Sequence, residues 1–159
     1  MKETMSSKIL QYALYAAFIV GVAVVITLPI MRDFYSGIIH GVFSVGEAYR
    51  VFIMPFLVVV GIPCLWIVLE MILMLRSVPS NPFVMKNVNA LYRIGIIFFA
   101  LALAFTVKCL IFLLPVAALL TVLTLACIFL FVIFGLFAFT LAALIRQAVV
   151  FREENDLTI

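Results

Sequence analysis

Three ionisable side chains could carry chemistry from within apolar sequence: Glu70 and Lys108 deep inside it, and Arg93 at the edge of a run. A charge is costly inside a bilayer, so such residues mark ion paths or binding sites unless they are paired or reach the interface. Trp66 and Glu70 share a helix face at a four-residue spacing. Counting inward from Arg50 brings Glu70 close to one membrane surface, level with Arg93 on the next helix. The spacing therefore predicts a Glu70–Arg93 ion pair that ties two helices together. Lys108 falls about 14 residues past Ile94, in the outer third of a core roughly 30 Å thick. Its long stem is expected to snorkel outward toward Asp33 or Glu47. Glu70 and Lys108 lie near opposite faces, so they form no proton relay with each other.

The remaining inventory argues against other chemistries. There is no H-E-x-x-H, no G-x-S-x-G, no phosphate-cradling glycine loop and no cluster of carboxylates with histidines. One histidine, His40, leaves no set for a histidine-based metal site within one subunit. Cys64, Cys109 and Cys127 all lie in apolar stretches and form no C-x-x-C pair, so neither a disulfide nor a metal framework is expected. We expect a non-enzymatic protein with no cofactor. The net charge of +3 is scattered at the edges of apolar runs, where lipid head groups attract basic residues. Direct nucleic-acid binding is not expected.

The elements that must position these residues are membrane helices. The chain is 69% hydrophobic and 11% charged, against about 25% charged in soluble domains. The longest uncharged stretch lies between Lys108 and Arg146, and about 20 apolar residues already span a bilayer. A β-barrel would show alternating apolar and polar residues, and these runs are continuous. We expect an all-α protein: an integral membrane four-helix bundle in one domain over 1–159, with a short amphipathic segment between helices one and two. The spanning helices are expected at about 9–31, 51–75, 82–114 and 116–151, with the amphipathic segment at 33–50.

The first run ends at Arg32-Asp33 and is too long for a signal peptide's apolar core of about 7–15 residues. Ala13, Ala17 and Gly21 recur every fourth residue and predict a face open to close helix approach. In the amphipathic segment Phe34, Ile38, Val42, Val45 and Tyr49 fall on one side, and Ser36, His40, Ser44 and Glu47 on the other. Pro55 and Pro63 are expected to bend the second spanning helix. Asn81-Pro82 is taken as an N-cap followed by proline at the first helical position.

A single helix over 94–145 would be about 78 Å long, so the run must fold back, and Pro115 marks the hairpin. On the last helix Ala117, Thr121, Thr124, Gly135, Ala138 and Ala142 are expected toward neighbours, interrupted by Ile128 and Phe131. Phe129, Phe134, Phe137 and Phe139 are expected toward lipid. The last two helices overhang the membrane as a paired stalk.

Orientation follows from the basic residues. Lys2, Lys8, Arg76, Lys86, Arg93, Arg146 and Arg152 fall on the side of the termini; Arg32, Arg50 and Lys108 fall opposite. Seven against three predicts both termini in the cytoplasm of a multi-pass plasma-membrane protein. Glu153 and Glu154 come level with Arg76 and Ser77, so the tail E-E-N-D-L-T-I is expected to fold back on the R-S-V-P-S-N-P-F loop. There Leu157 and Ile159 would cover the stalk or a partner.

The segment N-P-F-V-M-K-N-V-N-A-L-Y-R-I-G and the terminal E-E-N-D-L-T-I resemble a bacterial four-helix integral membrane family, common in Gram-positive bacteria and catalogued as a domain of unknown function. Its P-F-x-x-x-N-x-x-x-L-x-x-I-G pattern falls on Pro82, Phe83, Asn87, Leu91, Ile94 and Gly95, and its terminal D-L-T-I on Asp156 to Ile159. Lys86 stands where members often carry an acidic residue. Members are often encoded beside a small helix-turn-helix regulator, so the resemblance implies a regulatory partner and no enzymatic activity.

Two functions follow as expectations, beside a purely structural subunit role. One is an anchor or sensor in the lipid bilayer, engaging a cytoplasmic regulatory protein through the 76–93 loop and the C-terminal tail. That surface comprises Arg76, Pro82, Phe83, Lys86, Asn87, Glu153, Glu154, Asn155, Asp156 and Leu157. The alternative is a small transport or immunity protein acting within the bilayer through Glu70 and Lys108. The inventory allows a homo-oligomer in either case.

Overall fold

Helices that are apolar around their whole circumference turn side chains to lipid as well as to one another, and four of the five helices here are of that kind. The computed structural model describes residues 5–43, 46–77, 84–112 and 118–156. It holds α1 (Met5–Ile30), α2 (Arg32–Phe43), α3 (Glu47–Ser77), α4 (Met85–Ile111) and α5 (Ala118–Asp156), with no strand among the described residues. Lys8–Ile30, Glu47–Arg76, Met85–Ile111 and Ala118–Arg152 are each long and apolar enough to cross a membrane. The fold is all-α, as the composition requires.

The spanning helices form two antiparallel pairs, α1 with α3 and α4 with α5, joined along the α3–α4 seam. Each pair is locked by two glycines facing each other's bulky neighbours. Gly21 receives Leu65 and Gly61 receives Val25; a Cβ at these glycines would lie 2.8 and 2.7 Å from those side chains. In the second pair Gly95 receives Phe139 and Gly135 receives Phe99, at 2.6 and 2.8 Å by the same measure. Backbones approach closely only where a Cβ is missing, and such notches hold membrane helices together by packing.

The seam carries the main core: Val60 and Ile67 of α3, Ile94 and Leu101 of α4, and Ala138 of α5. Tyr49, Ile53 and Met54 form a second cluster at one end, and Val88, Leu91 and Ala142 a third at the other. By contrast, no described side chain of α1 is buried. That helix leans on α3 with one face and leaves the rest for lipid.

Several local expectations are corrected. Of the expected small-residue face only Gly21 meets α3, together with Val25, while Ala13 and Ala17 are exposed. In α2, Ser36 is buried and donates to the Asp33 carbonyl at 3.1 Å, while Phe34 and Ile38 are exposed. A hydroxyl satisfied by its own helix buries at little cost, so α2 turns Tyr35 and Ile39 onto α3 instead. Residues 47–50 belong to α3: the Gly46 carbonyl accepts from Arg50 N–H at 3.1 Å, and Glu47 suits the positive end of the helix dipole. Both Pro55 and Pro63 are accommodated inside α3.

Asn81 and Pro82 lie outside the described residues, and α4 as described begins one residue after a cap. That cap is Val84, with an extended backbone and no side-chain hydrogen bond, and its carbonyl accepts from Asn87 N–H at 3.0 Å. Phe139 does not face lipid: it stacks on Phe99 at 5.7 Å and fills the Gly95 notch. The α4–α5 connection and Pro115 lie outside the described residues, although the contacts on either side pair the helices about a point near residue 116.

Candidate functional site

The antiparallel order sets three levels along the molecule. The start of α1, the end of α3, the start of α4 and the end of α5 share one end, here the terminal end. At that end Glu70 projects from the last turns of α3, where it is 6% exposed, toward α4. Its carboxylate accepts from Arg93 Nε at 2.7 Å and Arg93 Nη2 at 2.9 Å, a two-point clasp, and from Trp66 Nε1 at 3.3 Å. The expected ion pair is present. Its two members are unequally buried, with side chains 8% and 49% exposed for Glu70 and Arg93. The Glu70 carboxylate is thereby neutralised inside the seam, while Arg93 stays half exposed at the bundle surface.

Nearer the edge, Arg76 donates from Nε to the Tyr15 hydroxyl at 2.8 Å and lies over its ring at 5.5 Å. This contact ties the end of α3 to α1, where the sequence suggested the C-terminal tail. Lys86 and Glu154 are exposed, whereas Asn87 is buried at 3% and drops out of any surface. Pro82, Phe83 and Leu157 lie outside the described residues, as do the side chains of Glu153, Asn155 and Asp156. The backbone of α5 stays helical to Asp156. Glu153 to Asp156 therefore extend the helix rather than fold back, as suits the good helix-forming glutamates.

The opposite end holds Lys108, and here the snorkelling expectation is overturned. Lys108 is 7% exposed and points inward, donating from Nζ to Thr124 Oγ1 of α5 at 2.9 Å. The Tyr49, Phe105 and Phe56 ring centroids lie 5.3, 5.8 and 6.0 Å from Nζ. Aromatic faces attract a cation by their quadrupole, so the seam gives the ammonium part of the stabilisation that snorkelling would have sought outside. A cavity of about 230 Å³ adjoins it.

A third feature escaped the sequence reading. Tyr92, Ala143, Arg146, Gln147, Val150 and Phe151 line a groove of about 360 Å³ on the α4–α5 pair at the terminal end. The i, i+3, i+4 spacing of the α5 members lies within the helix expected at 116–151, but it became meaningful only once the α4–α5 pairing brought that face beside Tyr92. Among the described residues no group of three or more His, Cys, Asp or Glu side chains is placed to hold a metal ion.

Apolar helices of spanning length, exposed apolar side chains along their outer faces and a charge clasp at one end define a multi-pass helical membrane protein. Residues 46–159 match the family described as a protein of unknown function (DUF2975), and the chain belongs to that family. That match takes in α3 to α5, and with them every site above except Tyr15. No curated protein and no solved structure matches the chain.

Proposed function

We propose that this protein is a non-enzymatic membrane anchor whose α4–α5 stalk holds a soluble regulatory protein at the cytoplasmic face. One observation carries the reading: the helix pair remains packed well past the level of the Glu70–Arg93 clasp. Val88 and Val149, both on the terminal side of that level, are 1% and 5% exposed, and α5 itself runs about 22 Å beyond the level of Arg93 at 1.5 Å per residue. A helix pair that only needed to cross lipid would have no reason to build a core there. The groove on it combines Phe151, 65% exposed, with Arg146 and Gln147, an apolar anchor beside polar groups of the kind protein interfaces favour. The charge count supports a cytoplasmic terminal end, and the resemblance noted above supports a helix-turn-helix regulator as the partner.

The test is site-specific photo-crosslinking in native membranes. A photoreactive residue at Val150 should capture a soluble protein, and one at Leu119, at the other end of α5, should not. Arg146→Glu with Phe151→Ala should abolish the adduct while leaving insertion intact. Equal capture from both positions, or capture that survives the double substitution, refutes the stalk as the docking surface.

A further inference from the structure

The Lys108 chamber holds a charge that its surroundings do not neutralise. Among the described residues no carboxylate pairs with Lys108; Arg50 and Glu47, on α3 at the same end, are engaged with each other at 2.7 Å. An ammonium has three donors, and one goes to Thr124 Oγ1. The Thr124 hydroxyl hydrogen is committed to the Leu120 carbonyl at 2.8 Å, so threonine serves here only as acceptor. Two N–H donors of a buried cation therefore remain beside a cavity of about 230 Å³, whose other walls include Ile53, Leu57, Leu123 and Cys127.

We propose that this chamber binds the carboxylate head of a long-chain amphiphile drawn from the bilayer, with Lys108 as the anion-binding residue. The charges match: one cation, already steadied by three aromatic faces, takes one monoanion. The donors match as well, since two N–H groups meet the two oxygens of a carboxylate. A phosphate monoester, with nearly two charges and three acceptor oxygens, asks for a second cation or a planar guanidinium fork. Depth selects an amphiphile over a soluble anion. Lys108 lies about 22 Å along α4 from Arg93 at 1.5 Å per residue. With Arg93 near one interface, Lys108 sits just inside the other, so a head group arrives from that leaflet while its tail stays in hydrocarbon. The apolar side chains lining the rest of the cavity suit the first methylenes of such a tail. This site lies at the far end from the stalk and stands independently of the partner proposed above.

The experiment uses the full chain in nanodiscs of zwitterionic phosphatidylcholine, with radiolabelled dodecanoate as probe and empty nanodiscs as background. Saturable binding of one dodecanoate per chain is expected, with Lys108→Met weakening it about tenfold or more and Lys108→Arg retaining it. Dodecanol should not compete, and dodecyl phosphate should compete less well than dodecanoate. Leu123→Trp, which fills the chamber and keeps the lysine, should also remove saturable binding, so the conclusion does not hang on one variant folding. Binding unchanged in Lys108→Met or Leu123→Trp, equal competition by dodecanol, or only non-saturable uptake overturns the proposal. Stronger competition by dodecyl phosphate overturns the choice of carboxylate.

Discussion

The Glu70–Arg93 clasp should fail unequally when its two halves are removed in turn. Arg93→Gln leaves a carboxylate that is 8% exposed with Trp66 Nε1 at 3.3 Å as its remaining donor. Stranding a buried charge in this way costs about 3 kcal/mol or more. Glu70→Gln leaves a guanidinium that is 49% exposed and can turn to water and head groups. The glutamine carbonyl can still accept from Arg93 and Trp66, so the loss should be nearer 1–2 kcal/mol. The double variant should cost less than the sum of the two, with a coupling of about 1–2 kcal/mol. Reversible unfolding in mixed micelles by rising dodecyl sulfate measures all four corners of the cycle. Trp66, the only tryptophan of the chain, reports on the clasp itself by its fluorescence. Equal costs for the two single variants would refute the burial asymmetry, and full additivity would refute the pair as a stabilising contact.

Three further outcomes are expected. Gly95→Ala places a methyl group 2.6 Å from Phe139 and should destabilise the α4–α5 pair by about 1–3 kcal/mol through overpacking. Gly37→Ala, with nothing within 4 Å, should be neutral or stabilising by up to about 1 kcal/mol; equal losses at both sites in the same unfolding assay would refute the notch. Lys108→Met should leave unfolding resistance of the ligand-free protein unchanged or raised, because an apolar side chain of similar length replaces a desolvated cation and Thr124 keeps its bond to Leu120; a loss above about 2 kcal/mol would show that the aromatic faces more than offset desolvation. In a variant lacking Cys64, Cys109 and Cys127, an impermeant maleimide applied to intact cells should label Asp33→Cys and not Glu154→Cys, and the reverse pattern overturns the cytoplasmic assignment of the termini.

The fold was legible because lipid imposes a simple rule: an apolar run long enough to span must be a helix. The clasp was legible for a related reason, since two charges near one interface, on antiparallel neighbours, have few other partners. The glycines were visible too, but their role was not. Gly21 was expected to share a face with Ala13 and Ala17, yet both alanines are exposed. The pairing that matters is between glycines of different helices, Gly21 with Gly61 and Gly95 with Gly135, and no spacing within one helix reveals it. The stalk groove stayed hidden because its α5 residues fall within the expected helix, and only the pairing of α5 with α4 sets that face beside Tyr92.

Lys108 shows why depth is an incomplete coordinate for an intramembrane charge. Counting from Ile94 gave its place along α4 and left its direction undetermined, and snorkelling was the cheaper assumption. Direction is set by phase. Asn87, Ile94, Leu101 and Lys108 recur every seventh residue, and all four are buried, at 3%, 5%, 2% and 7% exposure. A seven-residue repeat keeps one stripe facing the neighbouring helices along the whole of α4. The stripe's two apolar members mark it as core, so its polar ends must be core as well. Lys108 therefore enters the protein because Leu101, two turns earlier, does. Had the lysine stood at position 107 or 110, where valine and leucine are exposed, the same depth would have given a surface residue reaching for the head groups. What phase could not supply is the destination: the three rings and the Thr124 hydroxyl come from three different helices. Those helices meet at that height because the glycine notches fix the α4–α5 register and the Glu70–Arg93 clasp ties α3 to α4.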